Sequence, residues 1–176
     1  MSCDLTLGRL EQCLGNVGGI KAVYFVNYDE DLISGATVSG EEITALAGAT
    51  PAFKYELKGD NNTFEETNEK SRENGTSFWN QSGAITLKVQ DKTAQGELKL
   101  MSYGRPHVIV EDYNGNYRLA GALNGCDISV STDTGGAMGD LNGYNITFEG
   151  KESGMSHFIE SSIMGDVAGF VITEGV

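Results

Sequence analysis

The stretch that decides the fold comprises residues 53–90, which read FKYELKGDNNTFEETNEKSRENGTSFWNQSGAITLKVQ. At both of its ends, apolar side chains alternate with polar ones, and this period of two predicts half-buried β-strands. The apolar members are Phe53, Tyr55 and Leu57 at the start and Trp79, Ile85, Leu87 and Val89 at the end. Residues 59–62 have turn composition, and Asn74-Gly75 is typical of a two-residue hairpin loop. The pattern predicts one continuous β-meander.

The middle of this stretch, residues 63–73, is too hydrophilic to cover a core, because Phe64 is its one large apolar residue. A long strand that is polar on both faces is poorly fixed by itself. The segment is therefore a solvated arm, a disordered loop, or a surface that another copy of the chain completes. We take the third option as the working hypothesis, which makes its charged residues candidates for contact between subunits. These candidates are Glu65, Glu66, Glu69, Lys70, Arg72 and Glu73.

The composition indicates a single all-β domain over residues 1–176. Glycine is abundant, with 24 residues, and proline is scarce, with 2, as expected of short strands joined by glycine turns. The net charge of −13 excludes nucleic-acid binding by phosphate neutralisation, which needs clustered Lys and Arg. An acidic chain can still line a passage along which nucleic acid moves without adhering. No apolar run approaches the roughly 18 residues of a membrane span, and residues 1–4 predict no secretory signal.

The rest of the chain predicts a mainly β fold, an antiparallel sandwich or partial barrel with one helix. Residues 19–28 predict a buried central strand. Asp91 is a plausible N-cap for a helix over about 91–103, which has an apolar stripe of Ala94, Leu98 and Met101 and ends at Gly104. Residues 33–46 predict a short hairpin or a loop excursion, and residues 107–123 predict a hairpin with its turn at Asn114-Gly115. Further strands are predicted over 127–131 and 141–150, and in the second of these Tyr144, Ile146 and Phe148 point inward while Asn145 and Thr147 point outward. Residues 1–18 predict an N-terminal arm with one helical turn near 9–14. Residues 153–176 predict a C-terminal extension, either a helical face or an arm that docks on a neighbour.

Few residues predict chemistry, so we expect no catalytic residue, cofactor or metal. His107 and His157 have no nucleophile or metal-ligand spacing, and we interpret both as structural or surface residues. Residues 134–140 resemble a phosphate loop but lack its Gly-Lys ending, and residues 112–116 resemble a calcium loop without its distal Glu. Cys3, Cys13 and Cys126 predict free thiols, with a Cys3–Cys13 bridge left open. Two alternatives remain, namely a carbohydrate-binding sandwich using Trp79 with tyrosines in host adsorption, and a glycoside hydrolase using Glu65, Glu66 or Glu69.

Five stretches in fixed order resemble the tail tube proteins of tailed bacteriophages, of the kind met in phages and prophages of Bacteroidetes. These stretches are NVGGIKAVYF (16–25), FKYELKGDNNTFEE (53–66), ENGTSFWNQSGAITLKV (73–89), RPHVIVEDYNGNYRLAGALNG (105–125) and GGAMGDLNGYNITFEGKE (135–152). Together they cover most of residues 16–152, and the extension after Lys151 is longer than the family leads us to expect. That difference leaves open a tail-tube-like connector or ring protein.

The resemblance implies a virion structural protein of the viral tail, assembled in the host cytoplasm. Six copies would close a ring by joining sheet edges, and rings would stack into a conduit for genome ejection. Because each copy has a net charge of −13, a ring of six copies would carry a formal charge of −78. The implied partners are further copies of the chain and other tail proteins such as sheath, connector or baseplate. Viral DNA would pass through the lumen without specific binding, and the terminal arms would bridge successive rings.

Overall fold

Two β-sheets and one helix make up the part of the chain that the computed structural model describes, residues 5–175. The elements in chain order are β1 (Ile20–Val26), β2 (Thr37–Ser39), β3 (Glu42–Ala45), β4 (Thr50–Glu56), β5 (Thr63–Ser71), β6 (Thr76–Lys88), α1 (Lys92–Tyr103), β7 (His107–Asp112), β8 (Tyr117–Ala120), β9 (Asp127–Asp133), β10 (Gly143–Glu152), β11 (His157–Ile159) and β12 (Phe170–Glu174). The larger sheet has the order β12-β4-β1-β7-β8-β11-β3-β2, and the smaller sheet has the order β5-β6-β10-β9. The mainly β class with a single helix is confirmed.

The main core lies between the larger sheet and the inner face of the smaller sheet. Val23, Phe25 and Val108 of the larger sheet share one buried cluster with Ile146 and Phe148 of the smaller sheet. The alternation predicted for residues 144–148 is confirmed, because Tyr144, Ile146 and Phe148 are at most 1% exposed. Full burial of such side chains stabilises the fold by about 1.5–3 kcal/mol each.

A second core lies on the other face of the larger sheet. It unites Phe170 of β12, near one edge of the sheet, with Ile43 of β3, near the opposite edge. Tyr24 and Ile109 of the central strands fill the space between them. The larger sheet therefore curls around this cluster, in keeping with a partial barrel. β1 is buried on both faces, which confirms the prediction of a central strand.

The prediction of one continuous meander over residues 53–90 is wrong. β4 pairs with β1 and β12 in the larger sheet, whereas β5 and β6 pair in the smaller sheet. Residues 57–62 carry the chain between the sheets, with Leu57 buried and with Gly59 and Asn61 at φ 134° and 71°. The β5–β6 hairpin also has a four-residue loop, 72–75, because the last pair joins Ser71 to Thr76. The two-residue turn predicted at Asn74-Gly75 is therefore wrong as well.

The helix follows its predicted boundaries. Asp91 is the N-cap, and its carboxylate accepts hydrogen bonds from the Thr93 and Ala94 amides at 2.9 and 3.2 Å. Leu98 is buried, and Ala94 and Met101 pack beside it against the main core, so the predicted apolar stripe is confirmed. The hairpins predicted over 33–46 and 107–123 are also present, as β2–β3 at 37–45 and β7–β8 at 107–120.

The two ends of the chain differ from their predictions. Residues 5–18 have no helical turn, so the turn predicted near 9–14 is wrong; two glycines flank it, and a short unpacked helix is only marginally stable. The helical face predicted after residue 153 is also wrong. Residues 157–159 and 170–174 join the larger sheet of the same subunit as β11 and β12, and β12 and β4 run parallel. Because Cys3 is not among the described residues, the Cys3–Cys13 bridge that was left open also lies outside them.

Candidate functional site: the outer face of the smaller sheet

The side of the smaller sheet that faces away from the core carries almost entirely polar side chains. In β10, Asn145, Thr147 and Glu149 alternate with the buried Tyr144, Ile146 and Phe148. The same parity continues across the neighbouring strands, because the register of all three strand pairs is regular. We call this surface the outer face, and its members are Thr63, Glu65, Thr67 and Glu69 of β5, Phe78, Asn80, Ser82, Ala84, Thr86 and Lys88 of β6, Asn145, Thr147, Glu149 and Lys151 of β10, and Asp127, Ser129, Ser131 and Asp133 of β9.

A row of carboxylates crosses the whole outer face at one level. Glu65 lies opposite Ser82, Ser82 lies opposite Glu149, and Glu149 lies opposite Asp127. We call this set the carboxylate row. Like charges directly opposite on neighbouring strands destabilise a sheet, so the Glu149–Asp127 pair does not stabilise the subunit. The row surrounds a shallow depression of about 310 Å³ that also includes Thr63 and Ser129.

Negative charge predominates on the outer face. Its acidic residues are Glu65, Glu69, Asp127, Asp133 and Glu149, and its basic residues are Lys88 and Lys151. The Lys151 Nζ lies 3.7 Å from the Glu149 Oε1, and both side chains are more than half exposed. Exposed pairs of this kind contribute about 0–1 kcal/mol. The outer face is therefore a largely polar, acidic surface, and the half-buried Phe78 of β6, opposite Glu69, is the one large apolar side chain among its described members.

The edge strands of the smaller sheet are β5 on one side and β9 on the other. Within the described residues, each of these strands pairs on one edge only, β5 with β6 and β9 with β10. All three strand pairs of this sheet are antiparallel. Free strand edges present backbone groups that can pair with another chain. The outer face is thus bounded on both sides by edges that can accept a further strand.

The structure separates the six residues predicted at this surface. Glu65 and Glu69 lie on the outer face and are exposed. Arg72 and Glu73 lie in the exposed hairpin loop, and Lys70 is exposed near it on the opposite face of β5. Glu66 points inward and is the exception. Burial therefore alternates along β5, with Phe64 packed against the main core, and the prediction that residues 63–73 cannot cover a core is wrong.

Glu66 forms a buried ion pair that fastens β5 to the larger sheet. Its side chain is 5% exposed, and its Oε2 accepts a hydrogen bond from Arg118 Nη1 at 3.2 Å. Its Oε1 accepts one from the Ser156 amide at 2.7 Å. The Arg118 guanidinium also lies 4.5 Å from the centre of the Phe158 ring. Glu66 therefore holds the subunit together and does not belong to the exposed surface.

Two further inward polar residues connect the sheets beside Glu66. The Gln81 Oε1 accepts a hydrogen bond from the Gly121 amide at 2.8 Å, and its Nε2 donates to the Gly154 carbonyl at 3.3 Å. The Glu152 Oε1 accepts from the amides of Leu123 and Asn124 at 3.0 and 2.8 Å. These contacts satisfy the buried Gly121 amide and two partly buried amides of the following loop.

Beyond these contacts, the β5–β6 hairpin carries polar atoms that the described chain does not satisfy. Asn68 Oδ1 and Asn80 Oδ1 are buried and have no hydrogen-bond partner within residues 5–175. Buried polar atoms without partners are uncommon in native proteins. Asn68 lies on the edge strand β5, which is compatible with a donor supplied by a neighbouring chain, whereas Asn80 lies on β6 between β5 and β10.

The other motifs have structural roles. His107 is buried, with its Nδ1 2.6 Å from the Gly121 carbonyl and its Nε2 accepting from the Asp29 amide at 3.0 Å, which confirms the structural interpretation. The loop at 134–140 uses the amides of Gly136 and Ala137 to bind the carboxylate of Asp140, and these hydrogen bonds lower the Asp140 pKa. Those amides are therefore occupied by the chain's own carboxylate, unlike the amides of a phosphate loop.

The structure also explains Cys13, Cys126 and the calcium-like turn at residues 112–116. Cys126 is buried as a free thiol, and desolvation raises its pKa to about 12, whereas Cys13 is exposed. The Asp112 carboxylate accepts hydrogen bonds from the Asn114 and Asn116 amides at 2.8 and 2.9 Å, so the hairpin turn engages it. No group of His, Cys, Asp and Glu suited to a metal occurs in residues 5–175.

The glutamates of β5 do not have the arrangement of a glycosidase pair. Glu65 and Glu66 lie on opposite faces of the strand. Glu65 and Glu69 share a face but are four residues apart, about 13 Å along a strand, whereas glycosidase carboxyl groups lie within about 9.5 Å of each other. Trp79 is half-buried, and the exposed Tyr103 and Tyr113 lie on other elements. Carbohydrate binding therefore stays a prediction without a stacking surface to support it.

Comparison with known proteins finds no matching family model, no matching characterised protein and no matching solved structure. Among the helices of residues 5–175, none is long and apolar enough to cross a membrane. Three further residues that complete the acidic outer face were not predicted from the sequence, namely Asp127, Asp133 and Glu149. The signal for Glu149 was available, since it continues the outward parity of Asn145 and Thr147.

Proposed function

We propose that this protein is a virion structural protein, a subunit of a phage tail tube or of a tail-tube-like ring. Its copies join into rings, and the rings stack into an acidic conduit for genome passage. The observation that carries this proposal is the outer face, a polar and acidic surface on a four-stranded antiparallel sheet with both edges free. The resemblance of five ordered stretches to tail tube proteins supports the same assembly.

The strand order supports closure of the smaller sheet into a barrel. Under cyclic symmetry, every copy keeps the same strand direction relative to the ring axis. Because the sheet has four alternating strands, β9 of one copy runs antiparallel to β5 of the next. Closure removes free edges. Six copies of four strands would form a 24-stranded barrel, roughly 50 Å across between backbones for a spacing of about 4.8 Å and a tilt of about 40°.

The charge of the outer face suits the inside of such a barrel. In the ring, the carboxylate row of Glu65, Glu149 and Asp127 would repeat in each copy at one level. Duplex DNA carries about one negative charge per 1.7 Å of axis. A basic wall would hold DNA by releasing counterions, whereas an acidic wall lets it slide. The proposed role is therefore non-catalytic, with DNA as cargo and with other tail proteins at the ends of the tube.

Assembly of the purified protein tests this proposal. We expect negative-stain microscopy and sedimentation to show rings or tubes with a central channel. The double variant Glu65→Lys with Glu69→Lys should fold normally, since exposed changes usually stay within about ±0.5 kcal/mol. It should either fail to close rings or form rings that retain duplex DNA at low salt. The matched control Glu30→Lys with Glu42→Lys makes the same charge change at exposed positions outside the smaller sheet and should assemble normally.

Two results would count against the proposal. A monodisperse monomer at high protein concentration, across salt and pH, would exclude self-assembly into rings. Equal loss of folding and of assembly in the Glu65 and Glu69 variant would show that β5 is an ordinary structural strand.

A further inference from the structure

A buried carboxylate at the end of β10 has no basic partner. Glu152 is 4% exposed, and its Oε1 is held by the amides of Leu123 and Asn124 at 3.0 and 2.8 Å. Within residues 5–175, its Oε2 accepts no hydrogen bond and its side chain forms no ion pair. Buried glutamates are rare unless they are paired. Two amides therefore fix the Glu152 carboxylate in position and leave it without a counterion.

Glu152 lines a cavity of about 500 Å³ at one end of the sandwich, between the smaller sheet and strands β8 and β11 of the larger sheet. We call this space the Glu152 cavity. One of its walls is apolar and includes Ile33, Leu123 and Met155. Leu123 and Met155 are 49% and 48% exposed, so the cavity is open to solvent. Its volume falls in the range of about 300–1,000 Å³ that is usual for ligand sites.

Two further polar side chains of the cavity wall lack partners. Ser156 is 5% exposed, and its Oγ is buried without a hydrogen-bond partner in the described part of the chain. The same holds for Nδ1 of the adjacent His157, and both residues line the Glu152 cavity. Buried polar atoms without partners are uncommon in native proteins. A hydroxyl oxygen and a ring nitrogen can each accept a hydrogen bond, so the wall suits a ligand that carries donors.

The charges around the Glu152 cavity favour a cation. Its acidic residues are Glu41 and Glu152, whereas the guanidinium of Arg118 is already paired with Glu66 at 3.2 Å. The charge that is left unpaired is therefore negative. Residues 5–175 contain no group of His, Cys, Asp and Glu suited to a metal ion. An organic cation with N–H donors and an apolar stem matches both the acceptors and the apolar wall, as lysine stems do on apolar surfaces.

We propose that the Glu152 cavity binds a primary alkylammonium group, which a free diamine or a lysine side chain would carry. The ammonium group donates to Glu152 Oε2 and to Ser156 Oγ, which a rotation about one side-chain torsion turns toward it. The alkyl stem lies against Leu123 and Met155. Glu152 points to the core side of the smaller sheet, away from the outer face, so this site goes beyond the proposed conduit and does not require it.

Isothermal titration calorimetry with n-butylammonium chloride tests the site. Sodium chloride at about 0.15 M screens weak attraction to the exposed carboxylates of the acidic chain. The matched ligands are 1-butanol, which has the same stem without a charge, and tetramethylammonium, which has the charge without N–H donors. We expect saturable binding of n-butylammonium at one site and none of either control. Equal binding of tetramethylammonium would show attraction by charge alone, and absence of binding would show that water alone meets the acceptors; each result would overturn the proposal.

A pair of variants on β10 locates the site. Glu152→Gln keeps an acceptor for the amides of Leu123 and Asn124 but removes the charge, so it should weaken binding by about tenfold or more with an unchanged circular dichroism spectrum. The matched control Glu149→Gln removes an exposed carboxylate three residues away and should leave the affinity unchanged. Full affinity in Glu152→Gln, or an equal loss in both variants, would overturn the assignment.

A third variant keeps the test decisive if Glu152→Gln does not fold. Ser156→Ala removes a buried hydroxyl that has no partner in the free protein, so it should not lower the free energy of unfolding. It should nevertheless weaken n-butylammonium binding severalfold. Unchanged affinity in Ser156→Ala would contradict the proposed position of the ammonium group.

Two further ligands distinguish the source of the ammonium group. Tighter binding of 1,4-diaminobutane would support a free amine, and tighter binding of Nα-acetyl-lysine methylamide would support a lysine side chain of a partner protein. Rings formed by a protein that binds neither ligand would overturn only this inference. Ligand binding by a protein that forms no ring would overturn only the proposed function.

Discussion

Removal of the Glu66 side chain should destabilise the subunit far more than removal of its neighbour Glu65. In Glu66→Ala, the Ser156 amide loses the acceptor that lies 2.7 Å away, and Arg118 loses its partner at 3.2 Å. A hydrogen bond to a charged group contributes about 1.5–3 kcal/mol, and an orphaned buried donor costs about 1–3 kcal/mol. The Arg118 side chain is 37% exposed, so water relieves part of this loss. We expect a decrease of about 2–4 kcal/mol in the free energy of unfolding.

Urea unfolding followed by circular dichroism measures this decrease. For a domain of this size, about 2–4 °C of Tm correspond to each kcal/mol, so the melting temperature should fall by about 5–15 °C. The matched control Glu65→Ala removes an exposed carboxylate one residue away and should stay within about ±0.5 kcal/mol. A double-mutant cycle with Arg118→Ala should give a coupling energy of about 1–3 kcal/mol. Equal effects of the two alanine variants, or a coupling energy near zero, would refute the buried ion pair.

Two further predictions concern packing and pH. Gly83→Ala should lower the free energy of unfolding by about 1–3 kcal/mol, because its Cβ would lie 2.8 Å from the Thr63 carbonyl and against the Phe148 ring. Gly96→Ala, in the open helix interior, should raise the free energy of unfolding by about 0.5–1 kcal/mol. Denaturant unfolding should therefore show changes of opposite sign in the two variants. Hydrogen bonds from Ala94 and Thr93 lower the pKa of Asp91, as those from Gly136 and Ala137 lower that of Asp140. Each group contributes stability that is present above its unfolded pKa of about 3.9 and is lost as pH falls through the lower folded pKa. Urea titrations from pH 7 to pH 3 should therefore show that the free energy of unfolding begins to fall near pH 4. The variant with Asp91→Asn and Asp140→Asn should show a shallower fall, and an equally steep fall would contradict this account.

Features that depend on neighbouring residues could be predicted from the sequence. The Asp91 cap, the stripe through Leu98 and the end of the helix at Gly104 follow from short-range chemistry. The alternation in β10 and the hairpin turn at Asn114-Gly115 depend on contacts within a few residues, and both are confirmed. Composition and charge indicated the mainly β class and an acidic surface for the same reason, since neither requires knowledge of which strands pair.

What only the tertiary structure decided is which strands pair and which face of each strand is buried. The chain crosses between the sheets at residues 57–62 because β4 pairs with β1 and β12, which are both distant from it in sequence. Glu66 is buried because Arg118 and the Ser156 amide, 52 and 90 residues away, meet it across the sandwich. The carboxylate row exists only in the register of four strands, which joins Glu65 to Glu149 and Asp127. Polarity along one strand is a local property, whereas register and burial arise from contacts between segments that the sequence alone does not bring together.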